Sequence, residues 1–323
     1  MPAPRSTEIE LDVLELATVW SEGRIRAWLP WCCLPTDGQS CYPEIMGIYI
    51  GLFACPDRPG LVHEITGLVF RQRLNLTENQ EFVDHSAQRF FMRTQFEGDV
   101  NPQKLEADFR TMVPEALTCQ VRELKPRKLV LFASKEQHCL GDLLLRHCTG
   151  EFQAEILAVI SQFPDCGQLV QRFGLPFCHI PFQKNQLQHE EEIRKVLHPL
   201  NPDYLVLARY MRIFSPAFVA QYPGQILNIH HSFLPAFIGK DAYQQAYTRG
   251  VKIVGATAHF VTADLDQGPI ISQDVVAVDH SHSIAEMSRK GQDVEKTVLA
   301  RGLNLVLEDR VLVDGNRTIV FAD

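Results

Sequence analysis

At 323 residues, with 46% hydrophobic and 22% charged side chains, the chain is long enough for two packed domains of about 150 residues each and is ordinary in composition for a globular protein. A formal net charge of −8 without a basic run argues against a nucleic-acid partner, no apolar stretch approaches the roughly 18 residues of a membrane span, and no basic-then-apolar leader pattern is seen. Nine cysteines, odd in number and without a C-x-x-C pair, fit reduced thiols and a cytoplasmic setting.

Residues 1–46 stand apart. They hold Trp20, Trp28 and Trp31, all three of the chain's tryptophans, and Trp31-Cys-Cys-Leu-Pro follows neither helix nor strand periodicity. Met46 immediately precedes a strand-like run, so the segment is expected to be a disordered extension or to lie ahead of a natural start at Met46. From residue 47 the order of elements reads βαββαβ: a strand over 48–54, a helix over 60–74, a hairpin over 76–85 and 88–96, a helix over 103–116 and a strand over 118–122. Asp57 precedes the first helix and is placed to cap it and complement its dipole.

A polar stretch around Pro126, residues 125–128, forms a linker. After it, short runs rich in Val, Ile and Leu at 129–133, 155–160, 177–180, 204–207 and 226–229 alternate with helical stretches such as 140–147, 166–173 and 190–197. Such alternation predicts a doubly wound, mostly parallel α/β sheet over residues 129–323, with ligands bound beyond the carboxyl ends of its strands. Later strands over 251–261 and 270–278, expected to be antiparallel, lead to a long amphipathic helix over 283–307 and a hairpin turning at Asp314-Gly315.

The chemistry concentrates in 226–274. Residues two apart on a strand share a face, so Asn228 and His230 open onto one space at a strand's carboxyl end. A carboxamide and an imidazole there can hold a carbonyl oxygen and move a proton, the two needs of acyl transfer. Asp266 is the candidate to orient them, with Asp264 of the same loop as rival, and His259 fits either that cleft or the core. His231, adjacent to His230, is expected on the opposite face, and Ser232 lacks the Gly-x-Ser-x-Gly elbow of a nucleophile. His280-x-His282 has no third ligand at metal spacing, and neither a Walker nor a Gly-x-Gly-x-x-Gly signature is present. No metal or cofactor is therefore expected.

NIHHSFLP, GATAHFV and LDQGPII, in that order, resemble the formyltransferase-type folate enzymes. QEFVDH (80–85), KEQHCLGDLL (135–144), ARYMRIFSPAFV (208–219) and HHSFLPAFIG (230–239) are most similar to the 10-formyltetrahydrofolate deformylase family. The resemblance implies Asn228, His230 and Asp266 as the catalytic trio. It implies Met211, Arg212 and Phe214 as pterin contacts, with His259, Thr262 and Asp264 also on the substrate side; the alternative is that Met211 and Phe214 pack in the core while Arg212 pairs with a surface acid. The activity implied is hydrolysis of 10-formyltetrahydrofolate to tetrahydrofolate and formate, serving one-carbon and purine metabolism, with water as co-substrate.

The rival reading is transfer of the formyl group to glycinamide ribonucleotide or another amine acceptor. In the relatives that formylate the ribonucleotide the loop after the first strand is rich in small residues, and here Lys135, Glu136, Gln137 and His138 replace them. Residues 47–124 resemble an ACT domain, read either as an amino-acid site at Asp57 and Gly60 or as a pairing platform in a dimer or tetramer. A third reading makes the whole chain an amino-acid sensor.

Overall fold

The computed structural model describes residues 47–183, 185–236 and 242–322. The expectations for residues 1–46, including a start at Met46, and for residues 237–239 lie outside them.

The first unit runs β1 (Gly47–Pro56), α1 (Leu61–Arg71), β2 (Asn75–Asp84), β3 (Arg89–Gly98), α2 (Pro102–Met112) and β4 (Thr118–Glu123). Its sheet is antiparallel, in the order β2-β3-β1-β4. Strand alternation assigns the faces. Tyr49, Phe53, Phe90, Met92 and Phe96 pack with Ile65, Leu68 and Phe109 of the two helices. Ile50, Leu52, Ala54 and Phe91 point the other way and are covered by Leu312 and Phe321 from the C-terminal hairpin. Asp57 does not cap α1: the cap position is Gly60 (φ 93°), which has no side chain to offer. The amide of exposed Asp57 instead donates to the Gln88 carbonyl (2.9 Å), because three intervening positions put its carboxylate out of register with the helix start.

The second unit contains β5 (Arg127–Ala133), α3 (His138–Cys148), β6 (Ala154–Ser161), a 3-10 turn (Pro164–Cys166), α4 (Gly167–Arg172) and β7 (Phe177–His179). It continues through α5 (Gln186–Leu200), β8 (Tyr204–Ala208), α6 (Pro216–Val219), β9 (Ile226–His230), α7 (Ala242–Arg249), β10 (Ile253–Phe260) and β11 (Ile270–Ala277). The last elements are α8 (Ile284–Leu307) and the hairpin β12 (Val311–Asp314) and β13 (Arg317–Val320). The seven-stranded sheet has the order β11-β10-β9-β8-β5-β6-β7. Pairs from β9 through β8, β5 and β6 to β7 are parallel, and β10 runs antiparallel to both β9 and β11.

Both faces of this sheet are covered, which is why β5 reads as an unbroken apolar run. Leu129 and Leu131 pack with Leu140, Leu143, Val298 and Leu303 on one side, Val130 and Phe132 with Ile193, Leu197 and Phe218 on the other. Each such side chain taken from water contributes about 1.5–3 kcal/mol. The chain leaves β5 for β6 on one side and returns as β8 on the other, so the sheet order reverses between β5 and β8. A crevice opens there at the strands' carboxyl ends.

α8 starts with the full capping box, Ser283 and Glu286 bonding each other's backbone amides. Its inward stripe is Met287, Gly291, Glu295, Val298 and Leu299, and the acid in that stripe bears on the site. Just after α8, buried Asp309 accepts from Arg122 (3.1 Å) and Arg127 (2.5 Å), while buried Arg93 donates to Glu78 (2.9 Å) and to the Glu308 carbonyl (3.1 Å). These bonds pin the end of α8 to the first sheet and to the start of β5.

Candidate active site

A cavity of about 290 Å3 lies at the carboxyl ends of β8 and β9 and is lined by the loops after β8 and β10. Antiparallel pairing places His259 of β10 directly opposite Asn228 of β9, so the two side chains share a face. His259 Nδ1 stands 2.9 Å from the Phe260 carbonyl, which can only accept; Nδ1 therefore carries the proton. Nε2 is left to accept from Asn228 Nδ2 at 3.1 Å. Burial, the leading cause, pushes the His259 pKa down and keeps the ring neutral. The carboxamide is thereby oriented, with the second N–H of Nδ2 available toward the cleft that Asn228 lines.

Asp266 reaches this floor from the β10–β11 loop in the left-handed region (φ 54°), which aspartate tolerates better than most residues. Gly268 makes the loop's path possible: a Cβ there would stand 1.8 Å from the Phe260 carbonyl oxygen. Asp266 Oδ1 lies 3.3 Å from His230 Nδ1 and 4.0 Å from His259 Nε2, with both ends of the first pair largely buried. Burial pushes the Asp266 pKa up, but the hydrogen bond from His230 outweighs it and holds the carboxyl below its ordinary value. Asp266 is thus an anion that fixes the His230 ring. Its rival Asp264 is exposed at the cleft rim, and only its backbone carbonyl accepts from Thr262, at 3.2 Å.

His231 departs from expectation. β9 ends at His230 and the chain bends, so the two rings are 5.1 Å apart and both line the cleft instead of facing opposite ways. Burial and the Arg209 cation push the His231 pKa down to about 4. Ser232 is a turn hydroxyl that donates to the Ala236 carbonyl (2.9 Å). His282 pairs with Asp279 in an exposed loop (2.9 Å).

Met211, Arg212 and Phe214 all line the cavity. Met211 is half exposed, as a contact for a flat ring would be. Arg212 lies 3.8 Å over the Phe182 ring and donates to Gln162 (2.7 Å) rather than pairing with an acid. Phe214 is mainly core: it stacks on Phe218 at 4.2 Å and meets Phe132 and Tyr210 edge-on and stacked.

Sequence reasoning missed a buried ionic network beside the trio. Glu295 of α8, fully buried, accepts from Tyr243 (2.7 Å), stands 2.8 Å from His138 Nε2 and lies 3.3 Å from Arg209 Nε. Arg209 also holds Glu136 at 2.6 Å. A Cβ on Gly291 would fall 1.9 Å from the Tyr243 hydroxyl, so glycine leaves the space that hydroxyl needs. Burial opposes ionisation of Glu295, yet the His138 hydrogen bond, the Arg209 charge and the Tyr243 hydroxyl hold its pKa below the usual value. His138, Cys139 and Glu295 place ligand atoms within 4.8 Å of one another. With Glu295 already bonded and a guanidinium against it, this cluster is an ion-pair network and unsuited to a metal. The legible signal was an acid on the apolar stripe of α8.

The model of the family described as Formyl transferase matches residues 127–303. The formyltetrahydrofolate deformylase of Escherichia coli (strain K12) is 50% identical over 272 residues, covering 82% of this chain and 95% of that protein. The chain belongs to the formyltetrahydrofolate deformylase family. A deformylase crystal structure from Pseudomonas syringae pv. tomato superposes with a TM-score of 0.82 at 40% identity, covering 87% of this chain and 96% of that one. The fold is therefore the formyltransferase-type α/β fold. The same fold appears in glycinamide ribonucleotide transformylase 1 from Symbiobacterium toebii, at TM-score 0.59 and 28% identity, where the match covers 61% of this chain and 95% of the other. The deformylases match along both units of the chain, whereas that transformylase covers little more than the second.

Proposed function

We propose that the chain hydrolyses 10-formyltetrahydrofolate to tetrahydrofolate and formate, using Asn228, His230 and Asp266. The observation that carries this reading is the convergence, on one cleft floor, of an oriented carboxamide and an imidazole held by a buried carboxylate. The Asn228 N–H would donate to the formyl oxygen as it becomes an oxyanion. His230, oriented by Asp266, would pass a proton between the attacking water and N10. The water oxygen bonds to the formyl carbon, the carbon–N10 bond breaks, and N10 takes the proton. No cofactor is needed, since the substrate carries the transferable group. Met211, Arg212 and Phe214 would hold the pterin, with His259, Thr262 and Asp264 completing that side of the cleft.

The loop after β5 favours water over a phosphorylated acceptor. Glu136 is tied to Arg209, Gln137 donates to the Asp165 carbonyl (2.7 Å), and His138 is tied to Glu295, so these three side chains are turned to the protein instead of to a phosphate. Residues 47–124 are read as an ACT domain that pairs subunits in the cytoplasm. At its helix start, Asp57 and Gly60 are both exposed, as access for an amino-acid effector would require. The test is to incubate the protein with 10-formyltetrahydrofolate and follow tetrahydrofolate and formate with and without glycinamide ribonucleotide. Formate release independent of the ribonucleotide is expected; turnover that requires it would overturn the reading.

A further inference from the structure

Arg209 is the first residue after β8 and holds a left-handed backbone (φ 63°), unusual for a side chain of its size. It sits where the sheet order reverses and lines the same cavity as Asn228 and His230. Two carboxylates from separate elements converge on it, Glu136 before α3 and Glu295 within α8. One guanidinium compensating two acids, one of them fully buried, is an anionic seat filled by a cation. Among the described residues its Nη1 has no hydrogen-bond partner. A buried donor of this kind ordinarily serves a small partner such as water. The seat reaches the catalytic floor through a short chain of contacts: Glu295 to the Tyr243 hydroxyl, Tyr243 to the His231 ring at 5.9 Å, and His231 to His230.

Formyl transfer on this fold needs a nucleophile beside His230. An amine acceptor carries N–H donors and is cationic until it loses a proton, so a pair of carboxylates behind Arg209, which itself lines the cleft, is the chemistry that would bind it. We propose that Arg209 is a specificity-determining residue: its guanidinium occupies, from within the chain, the seat an amine acceptor would take between Glu136 and Glu295, so that water is the nucleophile admitted to the formyl carbon. The proposal rests on the hydrolase reading above, and it makes Arg209 responsible for the choice of nucleophile instead of for the chemical step.

The test uses the full chain, 10-formyltetrahydrofolate and hydroxylamine, a small amine that is neutral and nucleophilic near pH 7, with an enzyme-free blank. Attack by its nitrogen on the formyl carbon breaks the carbon–N10 bond; hydroxylamine gives up one proton, N10 takes one, and the products are N-formylhydroxylamine and tetrahydrofolate. Wild type is expected to give formate whatever the hydroxylamine concentration. Arg209→Gly, which suits the left-handed backbone, should raise the N-formylhydroxylamine share roughly tenfold or more, the scale of one charge-assisted hydrogen bond. Millimolar methylguanidinium should restore formate as the product, a rescue that a merely structural role would not give. Should the glycine variant fail to fold, Arg209→Asn tolerates the same backbone region and is too short to fill the seat. A wild type that already formylates hydroxylamine in proportion to its concentration, or folded variants with the wild-type product ratio, would overturn the proposal. Formate release without any amine tests the hydrolase reading separately.

Discussion

Asp266→Asn is expected to lower kcat by roughly a thousand- to ten-thousandfold, the range for removing the carboxylate that orients a catalytic imidazole. The reason lies in the tautomer. Asp266 Oδ1 faces His230 Nδ1 at 3.3 Å and can only accept, so it fixes the proton on Nδ1 and presents Nε2 for proton exchange. A carboxamide in its place can donate to Nδ1 and favour the other tautomer, and it cannot stabilise the imidazolium that forms as His230 takes a proton. The isosteric change leaves the loop's packing at Gly268 and its left-handed backbone intact, so thermal stability should move far less than rate. Asp264→Asn is the comparison: that carboxylate is exposed at the rim on the substrate side, so its loss should show in KM while kcat stays within a small factor of wild type. Steady-state kinetics of the two variants decides the matter, and a larger loss from Asp264→Asn would mean that the catalytic carboxylate is misassigned.

Asn228→Ala is expected to cost about a hundred- to a thousandfold in kcat, corresponding to about 2.7–4 kcal/mol for one oxyanion donor. KM should change little, because the donor is needed most when charge develops on the formyl oxygen. The change also strips His259 Nε2 of its hydrogen-bond partner at 3.1 Å, leaving a buried acceptor unsatisfied and lowering stability by about 1–3 kcal/mol. The two effects separate by measurement: a melting curve reads the second, and kcat at a temperature where the variant is fully folded reads the first. Wild-type kcat in the folded variant would remove Asn228 from the trio.

What the sequence made legible follows from local periodicity. The five parallel strands announce themselves as short apolar runs, and the two-residue spacing of Asn228 and His230 sets both on one face. The βαββαβ order likewise comes from alternation and turn residues alone. What was hidden depends on register and on contacts between distant segments. That His259 locks Asn228 is set by the antiparallel pairing of β9 with β10, which no local pattern encodes. The ring of His231 joins the cleft because the chain bends as soon as the strand ends at His230, so the two neighbours do not alternate as they would on an extended backbone. Arg209, Glu136 and Glu295 meet from positions 73 and 159 residues apart, visible in advance only as an acid on an apolar helix face. Phe214 shows the limit of transferring a role by motif, since its ring is spent mostly on an aromatic core stack. Asp57 shows the limit of reading a cap by proximity, since the cap fell to Gly60.

On this mechanism water, and not an amine, receives the formyl group. Turnover of 10-formyltetrahydrofolate in water enriched in oxygen-18, with the released formate analysed by mass spectrometry, tests it most directly. One labelled oxygen is expected in each formate, the other coming from the substrate's formyl group. Formate without label, or release of tetrahydrofolate only when an amine is supplied, would contradict it.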